Sequence, residues 1–238
     1  MIFFHDRVGL VQRVLPEYRA PFFNALGLAC QAGLGVFAGD PRPAEMIKTT
    51  KTLDHAQLFV IKNHHIFKNQ FYFCLQSGLL QAVKAWNPGI LIVEANPRYL
   101  LTPSVIRWMH TQGRPVIGWG LGSPPLTGPL SRLRKRYRAR YIDQFDALIT
   151  YSQTGAEEYA GLGFSKERIY VAVNAVTPPP KQPLPDRPLP SKEKQLRILF
   201  VGRLQERKGL HNLLQACANL PASLQPGLII VGDGPDLS

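Results

Sequence analysis

The feature that most limits what this chain can fold into is its regular alternation of short apolar runs with segments of helical pattern. The run GILIVE at residues 89–94 is the clearest. It lacks the polar alternation of a half-exposed strand, which is typical of a strand buried on both faces. Parallel strands need crossover connections, which are usually helices. The sequence therefore predicts an α/β fold with a parallel sheet.

The same pattern can be followed along the whole chain. It predicts strands at 7–13, 35–39, 58–61, 71–75, 89–94, 115–119, 147–151, 169–173, 196–201 and 228–231, and helices at 21–33, 79–86, 105–111, 130–142, 154–162 and 210–220. Ligands of such sheets bind beyond the carboxyl ends of the strands. We therefore expect functional side chains in the loops at 14–19, 94–99, 120–127 and 174–177.

A proline-rich stretch interrupts the pattern at 178–190 (PPPKQPLPDRPLP). Proline suits neither a helix interior nor a central strand, so this stretch predicts a semi-rigid linker. We predict an amino-terminal domain at 1–176, a linker at 177–194 and the start of a carboxyl-terminal domain at 195–238. The single strand–helix–strand unit after the linker cannot bury its own faces, so we expect this second domain to be cut off at Ser238.

Composition excludes several classes of protein. Of 238 residues, 45% are hydrophobic and 18% charged, which excludes a disordered chain. Cys30, Cys74 and Cys217 lie far apart without CxxC spacing, so they predict neither a disulfide framework nor a zinc site. No apolar run reaches the roughly 20 residues of a spanning helix. We expect a cytoplasmic protein, either free or peripheral at the inner face of the membrane.

No cofactor and no metal ion is expected. The glycine pattern at 118–123 follows a strand but has Ser123 where a dinucleotide fingerprint needs its last glycine, which excludes NAD and FAD. The net charge of +12 indicates that anionic partners should be considered. Nucleic acid is not expected, because the aromatic residues are not interleaved with the basic run.

The stretch with the clearest signs of a ligand-binding site is VGRLQERKGL at 201–210, where a strand ends in Gly202 and a helix follows. A glycine lets a ligand approach the backbone, and a helix N-terminus attracts an anion. Arg203 can hold a phosphate through two N–H groups, and Lys208 adds a point charge. These residues suit a diphosphate. Solvated charges on an ordinary strand–helix turn are the alternative.

This stretch, with IVGDGP at 230–235, resembles the group 1 family of retaining GT-B glycosyltransferases. The resemblance extends to PEYRAPFF at 16–23, WGLG at 119–122, DALITYS at 146–152 and VNAV at 173–176, and so covers nearly the whole chain. It implies two Rossmann-like parallel-sheet domains, the second incomplete.

The resemblance also implies a donor site and an activity. Gly202, Arg203 and Lys208 correspond to the family's binders of the donor diphosphate, and Gly232 and Gly234 to its donor-side turn. The implied activity is that of a hexosyltransferase-like enzyme in polysaccharide biosynthesis. It moves a sugar, with retention, from a nucleotide-sugar to a hydroxyl of a glycan or lipid-linked saccharide.

Two departures from the family pattern stand out. Leu121 occupies the place where some relatives carry a histidine, so no role of that histidine can be transferred. The family's paired-glutamate motif, E-x7-E, would lie beyond Ser238. We therefore assign no catalytic residue and expect the chain as given to be inactive alone.

Candidates for the acceptor side come from the ends of predicted strands, and each has an alternative. Arg19 could meet an acceptor phosphate or sugar, or be a surface charge at a helix start. Glu94 could accept a hydrogen bond from a hydroxyl, or form a salt bridge. Trp119, which Gly120 follows, could stack on a sugar ring or belong to the core.

The helix predicted at 130–142 carries much of the positive charge. Leu130, Leu133, Tyr137 and Tyr141 recur at helical spacing, so we expect one face to pack inward. The charged side chains suit an anionic membrane surface, with a solvated face as the alternative. They are Arg132, Arg134, Lys135, Arg136, Arg138 and Arg140.

Two other functions remain open for the same fold. One is a sugar-nucleotide epimerase or a phosphorylase-like enzyme, and an epimerase would need no acceptor. The other is a non-catalytic, basic binding protein.

Overall fold

The computed structural model describes residues 4–67, 71–174, 182–183 and 196–237. The chain divides into two compact units, Met1–Pro179 and Pro180–Ser238. The predicted linker at 177–194 lies almost entirely outside the described residues. Its boundaries therefore stay a prediction.

One eight-stranded sheet forms the centre of the amino-terminal unit. Its strands are β1 (Val8–Val14), β2 (Leu34–Gly39), β3 (Gln57–Ile66), β4 (Phe73–Ser77), β5 (Ile90–Glu94), β6 (Val116–Gly120), β7 (Ala147–Thr150) and β8 (Ile169–Val171). They lie in the spatial order β4-β3-β2-β1-β5-β6-β7-β8. The predicted α/β fold is confirmed.

The sheet departs from the prediction at one edge, where β4 runs antiparallel to β3. The other neighbouring strands are parallel. β3 continues to Ile66, well beyond the predicted end at Ile61, and a short connection then leads to Phe73. A connection of this length can join antiparallel strands only, because a parallel return needs a crossover of a dozen or more residues.

Helices lie between most of the strands: α1 (Ala20–Ala29), α2 (Leu79–Trp86), α3 (Thr102–Thr111), α4 (Ser131–Ile142) and α5 (Gln153–Ala160). Local residues account for several ends. Pro21 occupies the first turn of α1, where its missing N–H costs no hydrogen bond. α2 ends at Asn87, which is left-handed and precedes Pro88. The Ser152 hydroxyl caps α5 by accepting from the Gly155 N–H at 3.1 Å.

Both faces of the sheet are buried. Alternate residues of one strand belong to different apolar clusters: Phe37 joins one cluster, and Val36 and Ala38 join the other. Successive side chains of a strand point to opposite faces, so the clusters lie on opposite sides of the sheet. This explains why β1 and β5 carry apolar runs without polar alternation.

The basic helix α4 packs differently from the prediction. Tyr141 is buried, but Leu130, Leu133 and Tyr137 are 70%, 61% and 58% exposed. The expectation that all four pack inward is therefore wrong for three of them. The helix packs into the core through its last turn, at Tyr141 and Ile142, and its amino-terminal part is largely exposed.

The carboxyl-terminal unit contains β9 (Arg197–Val201), α6 (Leu210–Ala218) and β10 (Gly227–Val231). β9 and β10 pair in parallel, with Val201 opposite Val231. Of the residues described between 196 and 237, Leu204 is the buried apolar one, at 2% exposure.

Candidate functional site

A cleft of about 570 Å³ opens at the carboxyl ends of the strands in the amino-terminal unit. All four loops in which we expected functional side chains contribute to its lining. Tyr18 and Arg19 follow β1, residues 94–98 surround the end of β5, residues 119–124 the end of β6, and Asn174 follows β8. The parallel sheet brings these loops to one edge, as its topology requires.

Arg19 is a buried cation in this cleft, not a surface charge. It is 9% exposed, and its guanidinium lies 5.0 Å from the centre of the Trp119 ring and 5.3 Å from that of Phe23. Its Nη1 donates to the Gln12 side-chain oxygen at 3.3 Å, and its Nε has no hydrogen-bond partner among the residues that the structure describes. The guanidinium is therefore held mainly by aromatic faces and a neutral amide.

Trp119 belongs mainly to the core. It is 8% exposed, and its ring packs against Phe22 and Tyr151 at centroid distances of 5.7 and 5.6 Å. Because both neighbours are aromatic, the ring offers little free face for stacking on a sugar. Trp119 is nevertheless among the residues that line the cleft.

Gly120 is required by packing. A Cβ on this residue would collide with the Tyr159 hydroxyl and approach Ala95 within 3.2 Å. Tyr159 is itself buried, at 1% exposure. The glycine therefore lets the loop after β6 pass close to α5 at the floor of the cleft.

Glu94 is held by a backbone donor. Its Oε2 accepts the Arg13 N–H at 2.6 Å, and it forms no ion pair with any described residue. Burial raises the pKa of its carboxyl, against the opposing effects of this hydrogen bond and of the Arg13 and Arg19 charges. The geometry therefore does not support the alternative in which Glu94 forms a salt bridge. Glu94 lines the cleft.

Sequence reasoning missed several lining residues. Gln12 lies within β1, Tyr151 follows β7, and Arg98 lies in the loop after β5. Arg138 was considered for a membrane surface only, yet it lines the cleft and donates to Ser123 Oγ at 3.2 Å. No sequence signal could have placed it there, because the contact depends on how the 120–130 loop folds back on α4.

The proposed donor residues lie in the carboxyl-terminal unit, on the loop between β9 and α6. Arg203 is half-buried and Lys208 is exposed at the end of a 3-10 turn, Glu206–Lys208. Gly209 then takes the left-handed conformation (φ 66°) and begins α6 without a side-chain cap. The first N–H groups of α6 are therefore free of a capping side chain. Among the described residues, neither Arg203 nor Lys208 forms an ion pair.

Gly232 and Gly234 lie against this loop. A Cβ on Gly232 would collide with the Gly202 carbonyl oxygen, and one on Gly234 with that of Leu204. The two segments are joined by hydrogen bonds from Gly202 N to Val231 O at 3.0 Å and from Leu204 N to Asp233 O at 2.9 Å. These glycines therefore allow the backbone after β10 to lie beside the donor loop.

The structure gives no metal site within the described ranges, where no three His, Cys, Asp or Glu side chains come together. Across the same ranges, no helix is both long and apolar enough to cross a bilayer.

Solved structures define the class of fold. The lipopolysaccharide outer core galactosyltransferase WaaB is 17% identical, with a TM-score of 0.55 over 97% of this chain and 62% of its own. HepE from Anabaena, solved with UDP-glucose, is 15% identical, with a TM-score of 0.57 over 96% of this chain and 61% of its own. The chain thus has the predicted GT-B-type α/β fold and spans about three-fifths of the length of these proteins.

A putative UDP-N-acetylglucosamine 2-epimerase from Listeria monocytogenes shares the fold too. It is 14% identical, with a TM-score of 0.50 over 95% of this chain and 62% of its own. The GT-B fold alone therefore does not separate transfer from epimerisation.

The carboxyl-terminal segment is similar to a known family in sequence. Residues 183–238 match the family model for group 1 glycosyl transferases. The resemblance inferred from the motifs of this segment is thus confirmed. No curated protein matches the chain.

Proposed function

We propose that this chain is part of a retaining glycosyltransferase that moves a sugar from a nucleotide-sugar to a hydroxyl of a saccharide or lipid-linked saccharide. The observation that carries the proposal is the group 1 match over 183–238, which contains Gly202, Arg203 and Lys208. HepE, which shares the fold, has been solved with UDP-glucose and with UDP.

The proposed roles follow from charge. Arg203 and Lys208 bind the donor diphosphate with help from the free N–H groups at the start of α6. As the glycosidic bond to the diphosphate breaks, negative charge grows on the leaving group, and fixed positive charges stabilise it. The acceptor occupies the amino-terminal cleft, where Glu94 accepts a hydrogen bond from one of its hydroxyls. No metal or cofactor is assigned to these steps.

Nucleoside diphosphate binding tests the donor site. Calorimetry of the chain with UDP and with the other nucleoside diphosphates should show binding to at least one of them. Arg203→Ala and Lys208→Ala should each weaken it about 10-fold or more, since each removes a charge-assisted contact. Arg207→Ala, on the same 3-10 turn, is the matched control and should change little. Equal losses in all three variants would contradict the assignment.

The reaction is tested on the full-length protein with radiolabelled sugar nucleotides and saccharide acceptors. Transfer predicts a labelled acceptor whose anomeric proton coupling shows retention. The Listeria neighbour motivates the epimerase alternative, which predicts an isomerised sugar nucleotide without any acceptor. A protein that binds acceptor or vesicles but converts no donor would favour the non-catalytic alternative.

We further propose that the protein works in polysaccharide biosynthesis, in the cytoplasm and at an anionic membrane surface. The support is the exposed amino-terminal part of α4. It presents Leu130, Leu133 and Tyr137 to solvent beside arginine and lysine side chains. Apolar side chains flanked by positive charge suit the interface of an anionic bilayer.

A further inference from the structure

The amino-terminal cleft has an excess of positive charge. Arg19, Arg98 and Arg138 line it, and Glu94 is the acidic residue among the lining side chains. Within the part of the chain that the structure describes, none of these arginines forms an ion pair. A concave site lined by one sign of charge concentrates ions of the opposite sign.

Arg138 is held in the cleft by neutral acceptors. Its Nη1 donates to Ser123 Oγ at 3.2 Å and to the Pro124 carbonyl at 3.1 Å, and both acceptors are neutral. Burial lowers the pKa of its guanidinium, and the nearby charges of Arg134 and Arg98 lower it further, against the opposing charge of Glu158. These contacts fix the orientation of Arg138, which forms no ion pair with any carboxylate that the structure describes.

Arg19 adds a buried charge deeper in the same cleft. Among the described residues its Nε has no hydrogen-bond partner, and its Nη1 donates to the neutral Gln12. Arg19 forms no ion pair with a described carboxylate, although its charge acts on the Glu94 carboxyl. Burying a cation costs desolvation free energy, and an anion bound nearby would offset part of that cost.

We infer that the cleft binds its acceptor through an anionic group, a phosphate ester or diphosphate, held by Arg98 and Arg138 at the rim. Arg19 supplies longer-range attraction from below. The neutral sugar lies further in, between Glu94 and the loop at Gly120. That the bound molecule is the acceptor rests on the proposed function. The anion site itself can be tested without any donor or turnover.

The test measures anion binding to the chain with Arg203→Ala and Lys208→Ala already in place, so that the proposed donor site cannot contribute. Calorimetry compares inorganic pyrophosphate and glucose 1-phosphate with uncharged methyl glucoside. The informative variant is Arg98→Gln with Arg138→Gln. Arg136→Gln with Arg140→Gln is the matched control, because it removes the same charge at residues outside the lining of this cleft. Circular dichroism checks that each variant is folded, and Arg138→Lys tests whether charge alone suffices.

The expected result is saturable binding of pyrophosphate and glucose 1-phosphate, and weaker binding of methyl glucoside. The cleft variant should lose about 10-fold or more in affinity, Arg138→Lys less, and the control pair about 2-fold or less. Equal losses of affinity in the cleft and control pairs would mean that anion binding depends only on net charge, and would overturn the proposal. So would failure of both anions to bind. Neither result would bear on donor binding, which is measured in the wild-type chain.

A second measurement separates the two sources of the anionic group. Sedimentation compares vesicles of phosphatidylcholine with vesicles that also contain phosphatidic acid. Because Arg136 and Arg140 also belong to the charged surface of α4, the control pair measures its general attraction for anionic vesicles. Phosphatidic acid binding that falls further with the cleft pair than with the control pair supports a lipid headgroup. Glucose 1-phosphate binding that depends on the cleft pair, without such an effect on vesicles, supports a soluble phosphorylated saccharide.

Discussion

Four hydrogen bonds converge on the carboxylate of Glu45. The Arg13 guanidinium donates to both oxygens, at 2.9 and 3.0 Å, and Arg42 donates its backbone N–H at 2.8 Å and its Nη2 at 3.2 Å. Arg13 also gives its backbone N–H to Glu94. Glu45 thus fixes the strand end that positions Glu94 in the cleft.

This arrangement predicts acid lability. Burial alone would raise the Glu45 pKa, but the hydrogen bonds and charge of Arg13, together with the contacts to Arg42, lower it to about 2. A carboxyl whose pKa is lower in the folded state stabilises the fold above its usual pKa and loses this effect as the pH falls from about 4.5 toward 2. Up to about 2 kcal/mol is at stake, since the group is partly solvated.

Urea unfolding from about pH 6 to about pH 3 checks this expectation. Glu45→Gln should flatten part of the fall in unfolding free energy with acid and lower stability at neutral pH. The exposed Glu17 provides the control as Glu17→Gln. An unchanged pH slope in Glu45→Gln would contradict the role given to this residue.

Gly120 predicts a coupled pair of substitutions. Gly120→Ala should lower the unfolding free energy by about 1–3 kcal/mol, because its Cβ collides with the buried Tyr159 hydroxyl. Adding Tyr159→Phe removes that hydroxyl and should recover part of the loss. Gly161→Ala, at a residue with ordinary helical φ of −65°, should be much milder. Thermal unfolding of a double-mutant cycle measures the coupling, and additive losses would refute the contact.

Single residues also show where sequence reasoning ends. The position of Arg19 directly after a strand loop was enough to single it out. Its burial against Phe23 and Trp119 was not predictable, because it depends on how α1 packs on the sheet. Arg98 and Arg138 are distant in sequence and share the cleft only after the loops have folded.

At the scale of elements, prediction was best where start and stop signals were explicit. The helix at 79–86 was predicted to the residue, because Asn87 and Pro88 end it. Strand β3 was predicted too short, since its second half, KNHHI, is polar and reads as a loop. That half belongs to the sheet because it pairs with β4, and this pairing cannot be predicted from the local sequence.

The positive charge of helix α4 leads to a prediction about membrane binding. Replacing its six arginine and lysine residues with glutamine should weaken binding to anionic vesicles about 10-fold or more, with little effect on the fold because the charged side chains lie mostly in solvent. Co-sedimentation with vesicles measures this binding. Increasing salt should also weaken the binding of the wild-type chain, because salt screens the charges. Strong vesicle binding that survives loss of all six charges would exclude α4 as the membrane-binding element, and a wild-type chain that does not bind anionic vesicles would exclude the membrane proposal.

At the scale of the whole molecule, the parallel sheet and its ligand edge were predictable because strand and helix periodicities differ sharply. Burial is less evenly distributed than that pattern implied. Both large apolar clusters belong to the amino-terminal unit. In the other unit, the strand residues Leu199, Val201 and Ile229 are 62%, 68% and 47% exposed.

This difference predicts unequal local stability. Amide exchange is slow where opening exposes much buried apolar surface, and fast where little is buried. Hydrogen–deuterium exchange with mass spectrometry should therefore find β1 and β5 strongly protected, and β9 and β10 exchanging much faster. A ligand that binds the loop between β9 and α6 should slow exchange there, because binding to the folded state alone stabilises it. Equal protection of both units without ligand would mean that burial does not set their stability. Protection by a nucleoside diphosphate confined to the second unit would place its binding at Arg203 and Lys208, separate from the anion cleft.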